Sequence, residues 1–138
     1  MRHVWAHARR KFFEAAKLNP SDVAATRIVR LIDELFGTDA QAREQNLDHA
    51  ARHALRLDRA KPLVETIRAE VEAARDASLP ASALGKAANY TLSLWGKLTR
   101  FLEHPELELS NNLAENSMRP VALGRNGDIF SRLPSVKD

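Results

Sequence analysis

Apolar residues recur at intervals of three and four along most of this chain, a spacing that restricts it to amphipathic helices packed on one another. The clearest stripe is Ile28, Leu31, Ile32, Leu35 and Phe36. It predicts a helix capped by Ser21 and stopped by Gly37, with Arg27, Arg30, Asp33 and Glu34 on its polar face. A second helical stretch, from about residue 39 to 59, places Leu47, Ala51, Ala54 and Leu55 inward and Arg43, Arg52, Arg56 and Arg59 outward. Pro62 falls at a first helical position, and Val64, Ile67, Val71 and Ala74 follow as the stripe of a helical hairpin within one bundle. After the break at Leu79-Pro80-Ala81, Ser82 caps a long helix from about Ala83 to Glu103 that turns Trp95 and Phe101 inward. Gly85 and Gly96 weaken that helix and are expected where another backbone comes close. Pro105 ends it. Ser110, Asn111 and Asn112 are candidate caps for a short helix carrying Leu113, Glu115 and Met118, ended by Pro120.

At 138 residues, with 44% hydrophobic and 28% charged side chains, the chain fits one ordinary globular domain. It has no cysteine, which removes disulfides, thiolate zinc sites and cysteine nucleophiles. The longest uncharged stretch, Ala87 to Gly96, falls far short of the roughly 20 apolar residues of a membrane span, and no signal-peptide core follows Met1, so a cytoplasmic protein is expected. The net charge of +3 is unevenly spread: residues 1–21 hold five Lys/Arg against Glu14 alone, whereas residues 22–80 hold nine against eleven acids. Such an N-terminal patch is compatible with phosphate binding, although charge alone favours a solvated basic face.

His3 and His7, and His49 and His53, are spaced to share a helix face, but neither pair has an evident third metal ligand. The chain has no Gly-x-Ser-x-Gly turn and no glycine-rich phosphate loop, which excludes the corresponding hydrolases and nucleotide binders. Two segments stand out. In Trp5-Ala6-His7-Ala8-Arg9-Arg10-Lys11-Phe12-Phe13 three consecutive cations are flanked by aromatics, and Leu109 to Pro120 sets Glu115 among Asn111, Asn112, Asn116 and Arg119. Glu115 reads either as a metal ligand beside phosphate donors or as an acid favoured near a helix N-terminus. Asp22, Asp33, Asp39, Asp48 and Asp58 read as solvated face residues.

The stretches W-A-H-A-R-R-K-F-F-E, L-P-A-S-A-L-G-K-A-A-N-Y-T-L-S-L-W and L-S-N-N-L-A-E-N-S-M-R-P-V-A-L-G-R, in this order, resemble the bacterial insertion sequence sixty-six transposase family. The resemblance runs to Arg125 and implies a DDE transposase, whose ribonuclease-H-like core holds Mg2+ or Mn2+ with two aspartates and a glutamate. Glu115 would be the third acid, catalytic and metal-binding, supported by Asn111 and Asn112. His7, Arg9, Arg10, Lys11, Arg119 and Arg125 would face DNA.

The departures from the family are as specific. Its two aspartates lie upstream of the Trp-Ala-His-Ala-Arg-Arg stretch, Val4 stands where a cysteine is usual, and after Arg125 the continuation diverges as Asn126-Gly127-Asp128. The resemblance thus implies a mainly α bundle: the insertion and C-terminal part of such a core, with its sheet largely missing. The single partial domain divides into a basic strand remnant and helix start (1–21), a helical insertion (22–80), a long helix and Glu-bearing helix (81–125), and a divergent tail (126–138). A truncated gene or element relic is expected, inactive alone, binding no metal tightly, and with element DNA, itself or a full-length transposase as partner. The alternatives are a non-catalytic helical DNA-binding or regulatory module, and a bundle with a protein-interaction role only.

Overall fold

The computed structural model describes residues 4–107, and every regular element among them is helical. Helix α1 spans Val4–Leu18, α2 Val23–Glu44 and α3 His49–Leu55. A π-helical turn, Arg56–Ala60, joins α3 to α4, Lys61–Ala77. Then come α5, Ala83–Ser93, the short α6, Trp95–Leu98, and a 3-10 turn, Arg100–Leu102. Helices α1, α2, α4 and α5 pack as a ring around one core. Neighbours run antiparallel. Trp5 meets Trp95 and Leu98 while Ala15 and Ala16 lie near Ala83 and Leu84; likewise Arg27 reaches Glu70 while Asp39 reaches Arg56. The stripe of α2 (Ile28, Ile32, Leu35) faces that of α4 (Val64, Ile67, Val71), and Phe12 of α1 closes the core between them.

The mainly α reading holds, and several of its boundaries move. Asp22, not Ser21, caps α2: its carboxylate accepts from the Ala24 amide at 3.1 Å, while the Ser21 hydroxyl donates to Asn19. Gly37 does not stop α2, which runs about two further turns to Glu44 because Leu35 and Ala42 continue its buried stripe. The chain turns instead at Asn46, whose φ of 54° is the left-handed conformation asparagine tolerates. The stretch expected as one helix over 39–59 is therefore shared between α2 and α3. Helix α3 buries none of its residues, and Ala54, expected inward, is exposed.

Pro62 explains the π turn. Proline has no amide hydrogen, and its ring would strike the carbonyl four residues back in a regular α-helix. The wider turn, in which the Lys61 amide donates to the Arg56 carbonyl, carries the helix into α4 without that clash. The long helix expected from Ala83 breaks at Leu94. The hydroxyls of Thr91 and Ser93 donate to the carbonyls of Ala87 and Tyr90, competing with the helical ladder, and the Trp5 indole donates to the Leu98 carbonyl at 2.8 Å. Trp5, 3% exposed, is thus the buried indole; Trp95, expected inside, is half-buried between Trp5 and Arg68. Val4 already belongs to α1, so the described residues hold no strand remnant.

Of the two glycines expected at a close approach, Gly85 is at one and Gly96 is not. A Cβ on Gly85 would run into the Leu79 carbonyl, whereas one on Gly96 or Gly37 would meet nothing within 4 Å. Gly37→Ala should therefore stabilise the fold by about 0.5–1 kcal/mol and Gly85→Ala should destabilise it, read as opposite shifts of the urea midpoint. By the same measurement Trp5→Ala should cost about 3–5 kcal/mol, and Trp95→Ala well under half as much.

Candidate nucleic-acid interface

Four of the sequence-predicted DNA-facing residues lie on α1, and the helix separates them. Arg9 points into the bundle: it is 7% exposed, holds Asp33 of α2 through two bonds of 2.6 and 3.2 Å, and lies over the Phe13 ring. One residue on, a step of about 100° turns the next side chain away from the core. His7, Arg10 and Lys11 are exposed. Lys11 leans toward α5, its ammonium 4.7 Å from the centre of the Tyr90 ring.

That contact brings a second cationic segment to the first. No acid occurs between Asp76 and Glu103, a stretch that contributes Lys86, Lys97 and Arg100, all exposed. Lys86 lies one turn before Tyr90 on α5, the spacing that keeps it on the same side of the helix, while Lys97 and Arg100 follow beyond the break at Leu94. Together α1 and the 83–102 segment carry seven Lys/Arg against Glu14, whereas α2 and α4 carry six against eight acids. Among the described residues, the ion pairs are made by other arginines and by His104, so no carboxylate of the described residues pairs with Arg10, Lys11, Lys86, Lys97 or Arg100. Lys86, Lys97 and Arg100 escaped the sequence reading because they are scattered in a segment of modest charge. The missing signal was the absence of acids, not a run of bases.

The far end of α2 holds the strongest polar constellation. Arg56, expected outward, is 1% exposed, and Asp39, expected on a solvated face, is 4% exposed. The Asp39 carboxylate accepts from Nη2 and Nε of Arg56 at 2.7 and 3.2 Å, and from Arg43 at 3.4 Å. Arg56 also donates to the carbonyls of Phe101, His104 and Leu107 at 3.0, 3.2 and 2.6 Å. Both residues were legible: Asp39 continues Ile28, Ile32 and Leu35, and Arg56 precedes Ala60 and Val64 at steps of four. Nearby, Arg52 donates to the Pro105 carbonyl at 3.2 Å, while Arg52 Nε and His53 Nδ1 are buried without a hydrogen-bond partner. Glu106 is exposed, its carboxyl held below the usual carboxylate range by its own backbone amide and by His104, 3.3 Å away.

Glu115, Asn111, Asn112, Arg119 and Arg125 lie outside the described residues. Among the described residues no three metal-ligating side chains converge, so these do not fit a divalent-metal site, and neither histidine pair finds a third ligand. No described helix is long and apolar enough to cross a membrane.

The described residues thus form a helical bundle with one acid-poor cationic face, and an Asn-Asn-Leu-Ala-Glu-Asn motif follows them in the sequence. The chain belongs to the Transposase IS66 family, whose profile matches residues 3–135. It is 34% identical over 125 residues to "Uncharacterized protein y4jD" of Sinorhizobium fredii, covering 91% of this chain and 24% of that protein. To "Uncharacterized protein y4hP" of the same organism it is 32% identical over 137 residues, with the same shares. The chain thus spans about a quarter of the length of these relatives. No solved structure matches it.

Removing one member of the buried pair should reveal its strength. Arg56→Met leaves Asp39 charged and buried and should cost about 3–5 kcal/mol, whereas Arg56→Met with Asp39→Leu should cost less than the sum of the two single changes. A double-mutant cycle of urea unfolding measures both.

Proposed function

We propose that these residues are the helical part of a transposase catalytic region, serving metal-dependent DNA cleavage and strand transfer in the complete enzyme, in the cytoplasm, and inactive alone. The α1–α5 cationic face carries this reading, because in a transposase family it is matched in charge to a DNA backbone. His7, Arg10, Lys11, Lys86 and Lys97 would follow phosphates, with Arg119 and Arg125 added from the sequence after residue 107. Arg9 holds the face in place by tying α1 to α2. Glu115, flanked by Asn111 and Asn112, would be the acid this segment gives to a site completed by two aspartates from elsewhere.

Binding should be electrostatic and weak. Neutralising about four phosphates corresponds to a slope of log affinity against log salt near −3.6. Fluorescence anisotropy with a labelled duplex should show this slope, and changing Lys11, Lys86 and Lys97 together to Gln should flatten it by nearly three. The same change at Arg27, Arg43 and Arg75, on α2 and α4 and each already paired with a carboxylate, should leave it nearly intact. Equal effects of the two triples would refute the α1–α5 face. Supercoiled DNA incubated with Mg2+ or Mn2+ should be nicked no more by this chain than by its Glu115→Gln variant, and nicking above that level would refute inactivity alone.

A second reading, docking on another protein, is favoured by Leu18, Val23 and Leu79, which are 76%, 62% and 76% exposed in the α1–α2 and α4–α5 connections at one end of the bundle. Sedimentation of the parent and of Leu18→Ser with Leu79→Ser should show association in the parent alone.

A further inference from the structure

The guanidinium of Arg56 has five N–H donors, and all five are engaged. Nε and one hydrogen of Nη2 bond Asp39; the remaining three bond the carbonyls of Phe101, His104 and Leu107. The Phe101 ring lies 5.1 Å beneath it, and Arg52, one turn earlier, holds the Pro105 carbonyl. Four carbonyls within seven residues are therefore gripped by two arginines of the α3 and π-turn segment. Neutralising Asp39 would need only one face of the guanidinium. The other three donors serve the stretch that leads directly into Ser110, Asn111, Asn112 and Glu115.

We propose that Arg56, assisted by Arg52, is a positioning residue for the acid-bearing motif: it sets the place and direction of the chain up to Leu107, from which the sequence runs on to Glu115. This rests on the reading of Glu115 as a catalytic acid. The role needs arginine, since a lysine ammonium can neutralise Asp39 but offers three donors from one point and cannot span a carboxylate and three carbonyls on different sides. The π turn, which begins at Arg56, contributes by letting the helix run on past Pro62 into α4 without interruption.

The chain has no cysteine, so spin labels can be placed cleanly at Glu65→Cys on α4 and Glu106→Cys on the gripped stretch, both exposed sites. Pulsed electron resonance on the full 138-residue chain should give one narrow distance in the parent and at least a doubled width in Arg56→Lys. Arg52→Gln should widen it less. Arg56→Lys should regain much of the melting temperature lost in Arg56→Met while leaving the width broad, a split that a merely stabilising role would not produce. Ile67→Ala, which loosens the core elsewhere, should leave the width unchanged. Equal widths in the parent, Arg56→Lys and Arg52→Gln would overturn the proposal, as would equal broadening by Ile67→Ala. If Arg56→Lys does not fold, Arg52→Gln against Ile67→Ala decides alone. The distance does not depend on the chemistry of Glu115, so a failure here is distinct from a failure of the transposase reading, which the DNA assays address.

Discussion

One buried guanidinium closes the end of this bundle. Burying a charge is costly unless its partner and every donor are satisfied, and Arg56 meets that condition by using Asp39 for charge and three backbone carbonyls for the rest. The geometry ties α2, the π turn and the chain after α6 to a single group. It also resolves a problem that the sequence creates. The long helix breaks at Leu94, and the carbonyls beyond it are held by side chains from elsewhere, Trp5 at Leu98 and Arg56 from Phe101 onward, in addition to short-range turn bonds.

The opposite side of the bundle is organised by charge. Helices α2 and α4 keep their acids and bases roughly balanced and linked, as between Arg27 and Glu70 and between Arg68 and Glu72. Helix α1 spends one of its three consecutive cations, Arg9, on Asp33, and leaves the next two exposed beside an acid-free helix. The ion pair is half open to water on the Asp33 side, so its contribution to stability is modest; its effect is directional, since it fixes the rotation of α1 and hence the face on which Arg10 and Lys11 appear.

The two polar features were legible in the chain to different degrees, for one physical reason. Asp39 and Arg56 each sit on the apolar stripe of a helix, and a charge on such a stripe in two helices signals a buried pair. Reading arginine as outward by default hid it. The cationic face had no such mark, because Lys86 and Lys97 sit 75 and more residues from Lys11, and nothing in either segment says that α1 will lie on α5.

Local chemistry in the sequence determined the helical class, the stripe from Val64 to Ala74, the cap at Ser82 and the family motifs, because periodicity, capping hydroxyls and short motifs act over a few residues. The tertiary structure decided where helices end and which cations meet water. Gly37 is passed because packing of Leu35 and Ala42 outweighs about 1 kcal/mol of glycine cost, and the helix after Ala83 breaks where side-chain hydroxyls and distant donors capture its carbonyls. Arg9 and Arg10, adjacent in sequence and alike in chemistry, are divided between core and solvent by their angle on α1, and that angle acquires meaning only once α2 and α5 lie on either side.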